Sequence, residues 1–145
     1  MLAGFVLVAS VAVGAPHGSI PSSQPLASVD ENLLRSLINT ERSAQGLGSL
    51  RMITKAVGVA RKHSSSMAQA GSIFHNERLP KQLRRVRWDV LGENVGVGGD
   101  TIELHQAFMN SPPHRHNVLS NEYERIGVGT LVTGGRMWVT VVFVG

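Results

Sequence analysis

Three side chains able to hold a metal ion or move a proton are spread through the sequence: His75, Glu93 and His114. An imidazole ligates metals and exchanges protons near neutral pH, and a carboxylate beside it can orient the ring or take a proton from metal-bound water. Two neutral imidazoles meeting in a cleft would bind Zn²⁺ or a similar divalent ion, with water completing the shell and modest affinity. Glycine or proline lies close to these residues, as in Gly92-Glu93-Asn94 and Ser111-Pro112-Pro113-His114-Arg115, which puts them at element ends where sites commonly sit. Spacings of 18 and 21 residues separate the three, so no local metal motif such as H-E-x-x-H links them. Read alone, Glu93 equally suits a hydrogen bond to a turn amide.

A fourth feature is the basic loop of Arg78, Lys81, Arg84, Arg85 and Arg87, closed by Trp88. It reads either as a solvated face or as a polyanion-binding surface; Trp88 is its only aromatic, so it lacks interleaved rings for stacking on bases. Of the other histidines, His63 falls on an apolar helix face and reads as a buried, hydrogen-bonded core residue. His105 reads as a surface or boundary residue beside Leu104, and His116 has no supporting pattern.

These residues need elements to position them. Ser28 followed by Glu31 is a capping-box signature for a first helix with Leu33, Leu34, Leu37, Ile38 and Ala44 at helical spacing, stopped by Gly46 and Gly48. A second helix is expected over 54–70, with Ala56, Val59, Ala60, His63, Met67 and Ala70 as its apolar face and Gly71 as its end. Residues 90–97 read as a short strand. Asp100 or Thr101 caps a third helix through Met109 with Leu104, Ala107 and Phe108 as its buried stripe, and a short helix covers 114–119. Strands at 125–132 and 136–144 form a closing hairpin, the second apolar on both faces and therefore central to a sheet covered by helices on both sides. This order is an α+β layout.

The chain has 145 residues, enough for one domain, and no cysteine. That excludes disulfides, a thiolate zinc site and a cysteine nucleophile. The net charge of +4 favours anionic surroundings such as cell-wall polymer, lipid headgroup or nucleic acid. None of the first 27 residues is ionised. Residues 2–15 are apolar but too short to span a bilayer as a helix, and read as the hydrophobic region of a secretory signal or an N-terminal anchor, with Val13/Ala15 or Ser10/Ala12 as cleavage positions. A first buried strand is the other reading. No basic stretch precedes this run, so either the true start lies upstream or the amino terminus alone supplies the positive charge. Residues 16–27, rich in Pro, Ser and Gly, read as a tether to a domain over 28–145.

The run Ala60-x-x-His63-Ser64-x-x-Met67-Ala68-x-x-Gly71-x-x-Phe74-His75, then Gly92-Glu93-Asn94-Val95, Met109-Asn110-Ser111-Pro112-x-His114-Arg115-x-Asn117-Val118-Leu119 and Ile126-Gly127-Val128-Gly129, resembles the bacterial branch of the CAP/SCP superfamily. Asn39-x-Glu41-Arg42-x-x-x-Gly46-Leu47-x-x-Leu50 is similar to its opening motif. The resemblance covers residues 30–145 with the motifs in family order. It implies an α-β-α sandwich whose cleft holds two histidines and acidic residues. His75 and His114 match the histidines, Glu93 matches the Gly-Glu-Asn glutamate, and Asn94 lies beside it. The family's other cleft glutamate falls at Ser111, which leaves a triad of His75, Glu93 and His114.

The resemblance does not by itself separate enzyme from binding module, since the superfamily has diverse roles; the triad of His75, Glu93 and His114 together with the leader leads to the expectation of a secreted or envelope-associated, non-enzymatic, monomeric protein with a divalent ion, such as Zn²⁺, in its cleft and a small or lipidic ligand nearby. A metal-assisted hydrolase of peptide or cell-wall material, with Glu93 as base, is one alternative. A polyanion-binding module using Arg78, Lys81, Arg84, Arg85 and Arg87 is the other; an exported protein rarely meets nucleic acid, and membrane contact would come through an uncleaved N-terminal segment.

Overall fold

A computed structural model of the chain describes residues 28–145; the leader, anchor and tether expected over 1–27 lie outside the described residues. The first helix, α1 (Val29–Ala44), opens on the expected capping box: the Glu31 amide donates to Ser28 Oγ, and the Ser28 amide donates to Glu31 Oε2 at 2.8 Å. Its buried stripe is Glu31, Leu34, Ile38 and Arg42, not the wider apolar set expected; Leu33 and Ala44 are exposed. A stripe with a charge at each end needs built-in partners. Glu31 accepts from Arg61 Nε at 2.6 Å and from the Thr130 amide at 3.4 Å.

A two-residue strand that periodicity cannot reveal, β1 (Arg51–Met52), leads into α2 (Thr54–Ala70), whose limits match expectation although Ala70 is exposed. The basic loop contains a one-turn helix, α3 (Leu79–Gln82), anchored by buried Leu79 and Leu83. There follow β2 (Leu91–Gly98), α4 (Thr101–Asn110) capped by Asp100, α5 (Pro112–Leu119), β3 (Arg125–Thr133) and β4 (Arg136–Val144). In α4 the expected burial pattern needs correcting: Ala107 is exposed, and His105 is buried with its Nε2 3.4 Å from Glu41 Oε1. The cause is that α4 packs against α1 as well as the sheet, which widens its covered face.

The sheet order is β1-β3-β4-β2, with β1 parallel to β3 and the other pairs antiparallel. As its two-faced apolar pattern implies, β4 is interior and buried from Met137 to Val144. Leu34 and Ile38 of α1, Phe108 of α4 and Val118 of α5 cover one face over Ile126, Val128, Val141 and Phe143. On the other face Ala56, Val59 and Ala60 of α2, with Leu79 and Leu83, cover Val142 and Val144. The result is an α-β-α sandwich. α2 lies directly on β3 because Gly127 and Gly129 lack side chains: a Cβ at either would collide with the backbone of Ala56 or of Ala60 and Arg61.

Burial pushes the Glu31 carboxyl up, but Arg61 and the amides of Ser28 and Thr130 outweigh burial and hold it below its ordinary value of 4.5. The unfolded chain therefore binds this proton more readily, so the stabilisation is complete above the ordinary value and is lost as pH falls through the lowered folded one. Urea melts of Glu31→Gln should show a deficit of about 2 kcal/mol at neutral pH, shrinking as pH falls below the ordinary carboxylate range. A deficit that does not depend on pH would contradict this account.

Candidate functional site

The Gly92-Glu93-Asn94 segment lies on edge strand β2, where alternation sends neighbouring side chains to opposite faces. Gly92 makes room for Tyr123, whose ring a Cβ would strike. Asn94 is fully buried. Its Nδ2 donates to the His114 carbonyl at 3.0 Å and its Oδ1 accepts from Asn117 Nδ2 at 2.9 Å, while Asn117 also reaches the Glu93 carbonyl at 3.2 Å. Asn94 thus fixes the position of α5, and with it the backbone of His114.

Glu93 turns the other way. Its side chain is only 7% exposed, whereas that of His75 is 65% exposed, and His75 Nδ1 donates to Glu93 Oε1 at 2.8 Å. The Asn76 amide donates to the same oxygen at 2.9 Å, so one carboxylate oxygen gathers the loop after α2 onto the strand. Glu93 Oε2 is buried with no hydrogen-bond partner among the described residues. Because Nδ1 carries the donated proton, a neutral His75 presents the Nε2 lone pair away from Glu93 and toward solvent. Glu93 is therefore not simply a turn acceptor.

His114 is half-buried on α5 against the Phe108 ring, with centroids 5.2 Å apart. Burial first, and the neighbouring His75 second, push its imidazole below the usual value, so the neutral, ligating form persists further into acid. Ser111 joins α4 to α5; its hydroxyl makes no hydrogen bond among the described residues, and no carboxylate replaces the family's second glutamate. His63 is the buried core histidine expected: its Nε2 donates to the Phe74 carbonyl at 2.7 Å. Arg78, Lys81, Arg84, Arg85 and Arg87 are all exposed around α3, and none is in an ion pair among the described residues.

As a metal site this donor set fits only an open, water-completed form. Among the described residues no group of three or more His, Asp or Glu side chains is arranged to hold an ion. One imidazole pushed toward its neutral form, His114, and a second, His75, oriented by a carboxylate, suit a weakly held cation and not a closed structural centre.

Two residues escaped the sequence reading of function. Asn76 ties the His75 loop to Glu93 by its amide and to Gln82 Oε1 by its side chain at 2.8 Å. Asn117 locks β2 to α5; its place in the quoted Asn117-Val118-Leu119 run was the available signal.

A three-layer sandwich with a Gly-Glu-Asn edge strand and a carboxylate-held histidine is the architecture of a CAP domain. The chain belongs to that family: the model of the cysteine-rich secretory protein family matches residues 35–144. Among individual proteins it is similar to the uncharacterized protein YkwD of Bacillus subtilis (strain 168), 33% identical over 134 residues, covering 88% of this chain and 50% of that protein. The chain thus spans half the length of this curated relative. Among solved structures it is similar to an extracellular protein containing a SCP domain from Bacillus anthracis, with a TM-score of 0.71 and 27% identity over 79% of this chain and 40% of the other. An outer surface protein of Borrelia burgdorferi shares the fold, with a TM-score of 0.72 at 20% identity over 79% of this chain and 91% of the other. These relatives place the chain with the bacterial CAP/SCP domains.

Proposed function

We propose that this is a secreted or envelope-associated binding module, without enzymatic activity, whose cleft holds a divalent cation at His75 and His114 with a small or lipidic ligand nearby. The observation that carries the reading is the His75–Glu93 hydrogen bond of 2.8 Å, which leaves the exposed Nε2 of His75 as an oriented ligand. The low protonation tendency of His114 supports it from the second side. Location outside the cytoplasm is supported by the extracellular Bacillus anthracis relative and by the apolar leader sequence. A bound cation would supply a positive centre able to attract a carboxylate, phosphate or carbonyl oxygen. Glu93 holds the His75 ring in place, and Asn94 holds the backbone that carries His114.

Calorimetric titration with Zn²⁺ should give saturable, modest binding that weakens below about pH 6 as the imidazoles protonate. The double variant His75→Ala, His114→Ala should abolish it, and Glu93→Gln should weaken it by about 10- to 100-fold through loss of ring orientation. Absence of binding to the unmodified protein, or equal binding by the double variant, rejects the cation. Turnover of peptide or peptidoglycan fragments that disappears in Glu93→Gln would instead make the protein a hydrolase.

A further inference from the structure

Beside the His75 loop, on the side of α2, lies a recess of about 570 Å³, inside the range of small-ligand sites. Its walls come from the second half of α2, from residues 74–78 and from Gln82, and Lys62, Ser66, Phe74, His75 and Arg78 line it. We propose that this recess binds an anionic group, a phosphate or carboxylate, carried on an apolar or planar body, with Lys62 and Arg78 holding the anion and the Phe74 face packing on the body.

Three observations lead there. Phe74 is 42% exposed, yet it is held: His63 donates to its carbonyl at 2.7 Å and meets its ring edge-on with centroids 5.1 Å apart. Ordering an aromatic face in advance removes an entropic cost of binding. The loop that follows is fixed as well, through Asn76 to Glu93 and to Gln82. Finally, neither Lys62 nor Arg78 is in an ion pair among the described residues, although Glu77 lies on the same wall. Size alone does not single this recess out. One of about 700 Å³ near Trp88 carries Arg51, Arg87 and Arg125, but Asp89, Glu122 and Glu124 balance them and it has no comparable excess of cation. In the His75 recess two cations face one acid, next to a fixed aromatic ring. The recess shares His75 with the proposed cation site, yet the inference goes beyond the cation reading, because the anion-holding groups, Lys62 and Arg78, are not proposed metal ligands.

The test is an NMR titration of the full chain in EDTA with phenyl phosphate, which combines a ring with a dianion, and with inorganic phosphate and phenol as partial probes. Phenyl phosphate should give saturable shifts at Phe74, His63 and Ser66, with affinity near 1 mM and at least tenfold tighter than either partial probe. Lys62→Gln with Arg78→Gln, both exposed and so neutral to folding, should weaken it at least tenfold. The shifts should survive in His114→Ala, so loss of Zn²⁺ binding and loss of anion binding are separate results. Co-sedimentation with phosphatidylglycerol vesicles identifies the source: vesicle binding that phenyl phosphate competes away points to a lipid headgroup, and none points to a soluble ligand, both in keeping with the proposal. Shifts that do not saturate, or that the double glutamine variant leaves unchanged, overturn it, as does vesicle binding unaffected by that variant.

Discussion

Arg42→Ala should destabilise the domain by roughly 3 to 5 kcal/mol, a large part of the 5 to 15 kcal/mol that holds an ordinary domain together. Arg42 is 2% exposed and makes no ion pair among the described residues; its charge is met by carbonyl oxygens. Nε donates to Gly48 at 2.8 Å, Nη1 to Val118 at 3.0 Å and Ser120 at 2.7 Å, and Nη2 to Tyr123 at 3.2 Å. Burial pushes the guanidinium down from its ordinary value, yet it starts so high that it stays charged. Truncation strands these carbonyls and leaves a cavity beneath them. Lysine should recover only part of the loss, because one ammonium cannot reproduce the planar fork. Urea melts decide the matter: a cost below about 1 kcal/mol for Arg42→Ala would show that water replaces the guanidinium without penalty.

Gly129→Val should be as damaging, about 3 kcal/mol or more, because it inserts volume where backbone already touches backbone. The helix cannot step aside freely, since Ser64 Oγ donates to the Gly129 carbonyl at 2.8 Å and pairs with the Thr140 hydroxyl at 3.0 Å, tying α2 to β3 and β4. Gly58 provides the contrast. It lies exposed on α2, and a Cβ there would meet nothing within 4 Å, so Gly58→Ala should stabilise by about 0.5 to 1 kcal/mol through helix propensity. Thermal melts in which both substitutions shift Tm alike would remove the argument for a close helix-to-sheet contact.

The sequence made the long elements legible because each carries its own signal. The Ser28/Glu31 box, the end of α2 at Gly71 and the two-faced apolar pattern of β4 all have local physical causes. What escaped depends on partners far along the chain. β1 is too short for any period and exists only through its pairing with β3. Arg42 looks like a solvent-facing helix residue until carbonyls about eighty positions away surround it, and His105 is buried only because α1 lies over α4. The site divides in the same way. Motif order brought His75, Glu93 and His114 forward, but the hydrogen bonds that commit one Glu93 oxygen to both His75 and the Asn76 loop amide are tertiary facts. So is the recess that His75 and Phe74 line, since no spacing predicts that Phe74 stands exposed while its backbone is fastened down.

The interior position of β4 bears on the order in which such a chain folds. β4 is the last of the four strands in sequence, yet it stands between β3 and β2 and contributes to both helical layers. In chain order, all five helices and strands β1, β2 and β3 come before the one strand that joins β3 to β2. Such long-range pairing forms slowly and late. Until β4 is present neither helical layer has its full set of strand residues to pack on, so the domain closes only when its last strand is added.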